Sequence, residues 1–71
     1  METLARTQGE IGQNVRGLRL RRALTQEELA DAAGVSSAAI TKIELGRRVP
    51  RPGTLRKIAA ALRVPVEQLT E

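Results

Sequence analysis

Apolar side chains recur along this chain at the three- and four-residue spacing of a helix face. Ile11, Val15 and Leu18 stand at i, i+4 and i+7 and predict a first helix over roughly residues 10–22. It forms despite Gly12 and Gly17, each of which costs a helix interior about 1 kcal/mol relative to alanine. Leu20 lies off that stripe. Leu29, Ala30 and Ala33 form the next apolar stripe. Over residues 35–45, a rotation of about 100° per residue gathers Ser36, Ala39, Ile40 and Ile43 on a side expected to pack inward, and Ser37, Ala38, Thr41, Lys42 and Leu45 on the opposite arc. Leu55, Ile58, Ala59 and Leu62 make the most regular face in the chain, with Pro52 suited to a first helical turn and Pro65 barring continuation. A last short helix, about 65–69, offers Val66 and Leu69. Residues 1–9 have little periodicity and are expected to be a flexible arm ahead of one domain over 10–71. The expected fold is all-α, with five helices around a tight, thin core of Ile, Leu, Val and Ala.

The junction between the second and third helices is the most specific local signal. Thr25 stands at an N-cap position, Glu28 completes a capping box three residues on, and Leu24 and Leu29 occupy the positions of a hydrophobic staple. Glu27, Glu28 and Asp31 place acid near the positive end of that helix. Gly34 ends it, because glycine takes the left-handed conformation at little cost, and Ser36 caps the next helix almost at once. A connection of about three residues is that of a helix-turn-helix. Its second helix is left exposed, closed by Gly46 and followed by Arg47 and Arg48. The outward arc of that helix is small, polar and basic. Glu44, on the border of the buried arc, is the sole carboxylate between Val35 and Arg63, a stretch that holds seven cations. Its net charge of +6 exceeds the +4 of the whole chain, so positive charge is concentrated where the exposed helix lies.

Composition then removes competing classes. The 71 residues include no cysteine and no histidine, which excludes thiolate and imidazole metal sites, cysteine nucleophiles and histidine acid–base chemistry. No enzyme, metal centre or cofactor is expected. The chain has no Phe, Tyr or Trp, on which single-stranded nucleic acids and RNA are generally stacked, whereas duplex DNA needs no such platform. No apolar run approaches the ~20 residues of a membrane span, and the start of the chain lacks the apolar core of a signal peptide. A cytoplasmic protein is expected.

The TQEELA segment with Gln26, the small Ala30, the turn glycine Gly34, the VSSAAITKIELG segment and the downstream TLRKIAAAL together resemble the helix-turn-helix family of Cro and the lambda-type repressors, also called the xenobiotic-response-element family of bacterial regulators. The resemblance covers about residues 11–69. It implies a five-helix lambda-repressor-like domain that binds duplex DNA as a transcriptional regulator, expected to be a repressor, with its third helix (about 36–45) in the major groove. On that resemblance Gln26 bonds a phosphate through its side chain or its backbone N–H at the start of the second helix. Ser37, Ala38, Thr41 and Lys42 face base edges, Ser36 lies near a phosphate at the helix entrance, and Arg47 and Arg48 grip phosphates. Arg19 is expected to pair with Glu44 and steady the third helix, while Arg21 and Arg22 are expected to be solvated charges at a helix end. Leu45 departs from the polar residue common in the family, so one backbone contact is expected to be missing.

The outward arc has no Gln, Asn or Arg before Arg47, so paired hydrogen bonds to bases are scarce and specificity is expected to lean on Lys42, hydroxyl and methyl contacts, loop arginines and DNA shape. One domain of this size contacts few bases, and members of this class usually bind as two-fold dimers. The expected dimer surface is the C-terminal segment with Val64, Val66 and Leu69. Two forms of such a protein stand open: a compact stand-alone regulator like the controller proteins of restriction-modification systems, or the DNA-binding part of a longer repressor. The alternative function is a protein-interaction or antitoxin module using the same fold. With no room for a ligand domain, no small-molecule ligand is expected.

Overall fold

The computed structural model describes residues 8–71 and is helical throughout, with α1 Gln8–Arg21, α2 Gln26–Ala33, α3 Ser37–Glu44, α4 Pro52–Leu62 and α5 Glu67–Thr70. No strand occurs among the described residues. The expected arm falls largely on residues 1–7, which lie outside that range, and residues 8 and 9 already belong to α1. Expectation and structure differ elsewhere at helix ends. Ser36 and Leu45 cap α3 and are not part of it. Pro65 and Val66 form a lead-in to α5, in which Gln68 N–H donates to Pro65 O at 3.0 Å and Leu69 N–H to Val66 O at 2.8 Å. No helix among the described residues is long and apolar enough to cross a membrane.

Helix α1 lies against α3, α4 and α5, while α2 packs on α3 and α4. Ile11, Val15, Leu18, Leu29, Ile40, Ile43, Ile58, Leu62 and Leu69 fill the space between them with Ala30, Ala33 and Ala59. The alanines allow the close approach that a core without aromatic rings requires. Gly12 carries this furthest. A Cβ there would collide with the carbonyl oxygen of Ile43 and lie 2.9 Å from that of Glu44, so α1 crosses the end of α3 at a distance that no side chain permits.

Helices α1 to α4 all stop in the same way. One or two residues past each end the chain adopts φ between 58 and 76°, at Ala23, Gly34, Gly46 and Arg63. The successor of each donates back across the last turn, from Leu24 to Arg19 O, Val35 to Ala30 O, Arg47 to Lys42 O and Val64 to Ala59 O, at 2.8 to 3.0 Å. This is the Schellman ending, which satisfies carbonyls that a helix end otherwise leaves open. Sequence reading found it at the two glycines and missed it at Ala23 and Arg63, where the left-handed conformation is costly.

The C-terminal segment removes Leu69 from the expected dimer surface. Leu69 is fully buried, and Val64 and Val66 pack half-buried against the core. A four-residue helix gains its position by inserting its one large apolar side chain, and Asn14 Nδ2 fixes it by donating to Leu69 O at 2.8 Å. Leu69 is therefore unavailable to a second copy. Arg22 also departs from its expected solvated role. Its Nε donates to Leu62 O at 2.9 Å, so the end of α1 caps the last turn of α4.

Candidate nucleic-acid interface

The helix-turn-helix is built by short-range bonds. Thr25 Oγ1 accepts from Glu28 N–H at 3.0 Å and Glu28 Oε1 accepts from Thr25 N–H at 2.8 Å, the reciprocal capping box that fixes where α2 begins. Ser36 Oγ accepts from Ala39 N–H at 3.1 Å and starts α3. Ser36 itself is exposed, not packed inward as the helical rotation implied, because a cap residue stands outside the helix it caps. Ile40 and Ile43 are fully buried, and Ala39 is half-buried beside them. With that side anchored in the core, Ser37, Ala38, Lys42 and Leu45 are left exposed and Thr41 half-exposed.

The one acid of α3 points the other way. Glu44 is only 9% exposed, and it meets the buried Arg19 in a two-bond pairing, Nε to Oε2 at 2.7 Å and Nη2 to Oε1 at 3.1 Å. Arg19 Nη1 also donates to Leu24 O at 2.8 Å, tying α1, the lead-in to α2 and the end of α3 together. Hydrogen bonding to Glu44 raises the guanidinium pKa above its ordinary value, against the opposing effect of burial, and the carboxylate charge adds to the rise. Arg19 is thus held charged. Removal of Glu44 from the surface leaves the exposed side of α3 without a negative charge.

Gln26 is bound into the same network. Its Nε2 donates to Glu44 Oε1 at 3.0 Å and its Oε1 accepts from Thr41 Oγ1 at 2.8 Å. Thr41 Oγ1 also lies 3.1 Å from Ser37 O, so its single proton is used within the protein in either direction. Sequence reasoning placed Gln26 and Thr41 as separate surface contacts and missed that one orients the other. Gly12 and Arg19, seven residues apart, share the face of α1 that meets the end of α3; sequence reasoning expected only Arg19 to act there.

Of the sequence-predicted residues, Ala38, Thr41, Lys42, Arg47 and Arg48 line one open depression together with Leu45. Ser36 and Ser37 stand at the start of the same helix, and Gln26 reaches it through Thr41. Residues 15–69 match the helix-turn-helix family, from the middle of α1 to the last turn of α5. The chain belongs to this family, of the Cro/C1 type. Among its relatives is the HTH-type transcriptional repressor RghR of Bacillus subtilis, 49% identical over 60 residues that cover 83% of this chain and 44% of RghR. The chain thus spans less than half the length of that relative. Among solved structures, the restriction-modification controller protein C.AhdI of Aeromonas hydrophila superposes with a TM-score of 0.85 at 31% identity, over 87% of this chain and 94% of the controller. The biofilm regulator SinR, solved in complex with DNA, superposes with a TM-score of 0.83 at 32% identity, over 86% and 98%.

Proposed function

We propose that this chain is a sequence-specific duplex-DNA-binding transcriptional regulator, acting as a repressor, that lays α3 in the major groove. The observation that carries this reading is the sidedness of α3. Its one carboxylate is turned inward and neutralised by Arg19, while Lys42 stands outward beside Arg47 and Arg48 on a face the fold leaves open. A groove about 12 Å wide, walled by phosphates, accepts such a helix. The repressor RghR and the DNA complex of SinR, similar in sequence or fold, support the same reading.

Each residue then has a role. Lys42, Ser37, Ala38 and Thr41 face bases. Arg47 and Arg48 neutralise phosphates past the end of the helix, and Ser36 lies near one at its start. The side chain of Gln26 is spanned between Glu44 and Thr41, so its phosphate bond comes from the backbone N–H at the first turn of α2, where helix donors have no intrahelical partner. Binding by two copies to two half-sites follows from the small footprint of one domain. Selection of duplexes from a randomised pool tests the whole proposal, because a recovered palindrome reports preference and spacing together. On the selected site Lys42→Ala changes the preferred sequence, whereas Arg48→Ala weakens all sequences alike and flattens the salt dependence by about one ion. Absence of binding to any duplex at low salt rejects the proposal in favour of a protein partner.

A further inference from the structure

Leu45 is the side chain near α3 that neither the core nor the charge pattern explains. It is 61% exposed and caps the helix through its backbone alone. Ala38, Thr41 and Lys42 precede it by seven, four and three residues, which sets all four on one helix face. A single exposed leucine is ordinary on a protein surface. This one lies in a depression flanked by Lys42, Arg47 and Arg48, with Glu44 withdrawn and paired. An apolar patch between cations complements a surface with anionic edges and methyl groups between them. The major groove of DNA is such a surface wherever a thymine presents its C5-methyl.

Hydrogen-bonding capacity on the same face leads to the same occupant. The proton of Thr41 is engaged by Gln26 or by Ser37 O, Ala38 and Leu45 have none to give, and α3 itself carries no Asn, Gln or Arg to pair with a purine edge. Beside Lys42, what the far end of this face has to offer a base edge is the apolar surface of Leu45.

We propose that Leu45 is a specificity-determining residue that packs its methyl groups against the C5-methyl of a thymine in the major groove. The assignment rests on the DNA-binding function proposed above. Leu45 and Ala38 are separated by about 10 Å along the helix, at 1.5 Å per residue, or roughly three base-pair steps of ~3.4 Å. The two side chains thus contact different base pairs.

Replacing thymine by deoxyuridine removes that methyl group and leaves base pairing intact. In a selected duplex, each thymine is exchanged singly for deoxyuridine, and affinities are measured for the wild type and Leu45→Ala. One exchange is expected to weaken the wild type about four-fold, the effect of one buried methyl group. Leu45→Ala, which keeps the wild-type melting temperature because the side chain is exposed, binds the thymine and deoxyuridine duplexes equally. Indifference of the wild type at every position, or an equal loss in Leu45→Ala, overturns the assignment while DNA binding stands. A wild type that binds no duplex at low salt overturns both.

Discussion

Helices α2 and α3 end on glycines, whereas α1 and α4 end in the same left-handed geometry on Ala23 and Arg63. The contrast extends to their starts, since α2 and α3 each begin on a side-chain cap and α4 begins on Pro52 with none. In the helix-turn-helix, residues that favour each boundary stand at that boundary. In the flanking helices the ending is imposed from outside. Leu24 and Val64, which follow the strained residues, pack against the core, and Arg22 bonds the last turn of α4. Burial there outweighs a conformational cost of about 1–2 kcal/mol per residue. The part that presents the interface is therefore specified locally, and its surroundings are specified by what they cover.

The two regions meet where α1 crosses the end of α3, and the largest expected effects lie there. Gly12→Ala sets a methyl group against the backbone carbonyls of Ile43 and Glu44, which cannot move aside as a flexible side chain does. A loss of about 3 kcal/mol is expected in urea unfolding, a large share of the stability of so small a domain. Glu44→Ala leaves Arg19 buried without its partner and frees the amide of Gln26. The expected loss is about 3 kcal/mol, the lower end for a broken buried pair because Arg19 keeps its bond to Leu24 O. DNA affinity falls with it, as α3 loses its tether; an unchanged melting temperature shows that the pair does not hold α3.

The smallest effects test the contrast itself, and they have opposite signs. Gly34→Ala meets no atom within 4 Å, so its cost of about 1 kcal/mol is purely that of the left-handed backbone. Ala23→Gly relieves the same strain and stabilises by about 0.5 kcal/mol after the greater freedom of glycine in the unfolded chain is counted. If thermal melting shows both changes to be destabilising, the ends of α1 and α2 are not energetically alike.

Legibility in the sequence follows the range of the forces involved. The capping box at Thr25 and Glu28, the glycine ending at Gly34, the cap at Ser36 and the inward set of Ile40 and Ile43 are all short-range, and each was readable. The pairing of Arg19 with Glu44 came with the family resemblance, whereas Gly12 read only as a cost to its helix because its role depends on what crosses α1 there. Arg22 read as a solvated charge because Leu62, forty residues on, supplies its acceptor. Leu69 read as a surface for a second copy because a short terminal helix looks exposed until its neighbour is known, and Asn14 on α1 is that neighbour.

By itself the sequence determined that the chain folds into helices, that two of them form a tight corner, and that a basic face without acid stands beside it, since helical period, caps and charge count depend on neighbours a few residues apart. Tertiary structure alone decided that Gln26 serves Thr41, that Arg22 closes the last turn of α4, that Gly12 lies against the end of α3 and that Leu69 belongs to the core. Those outcomes depend on which groups lose water when distant segments meet, and no local pattern records that.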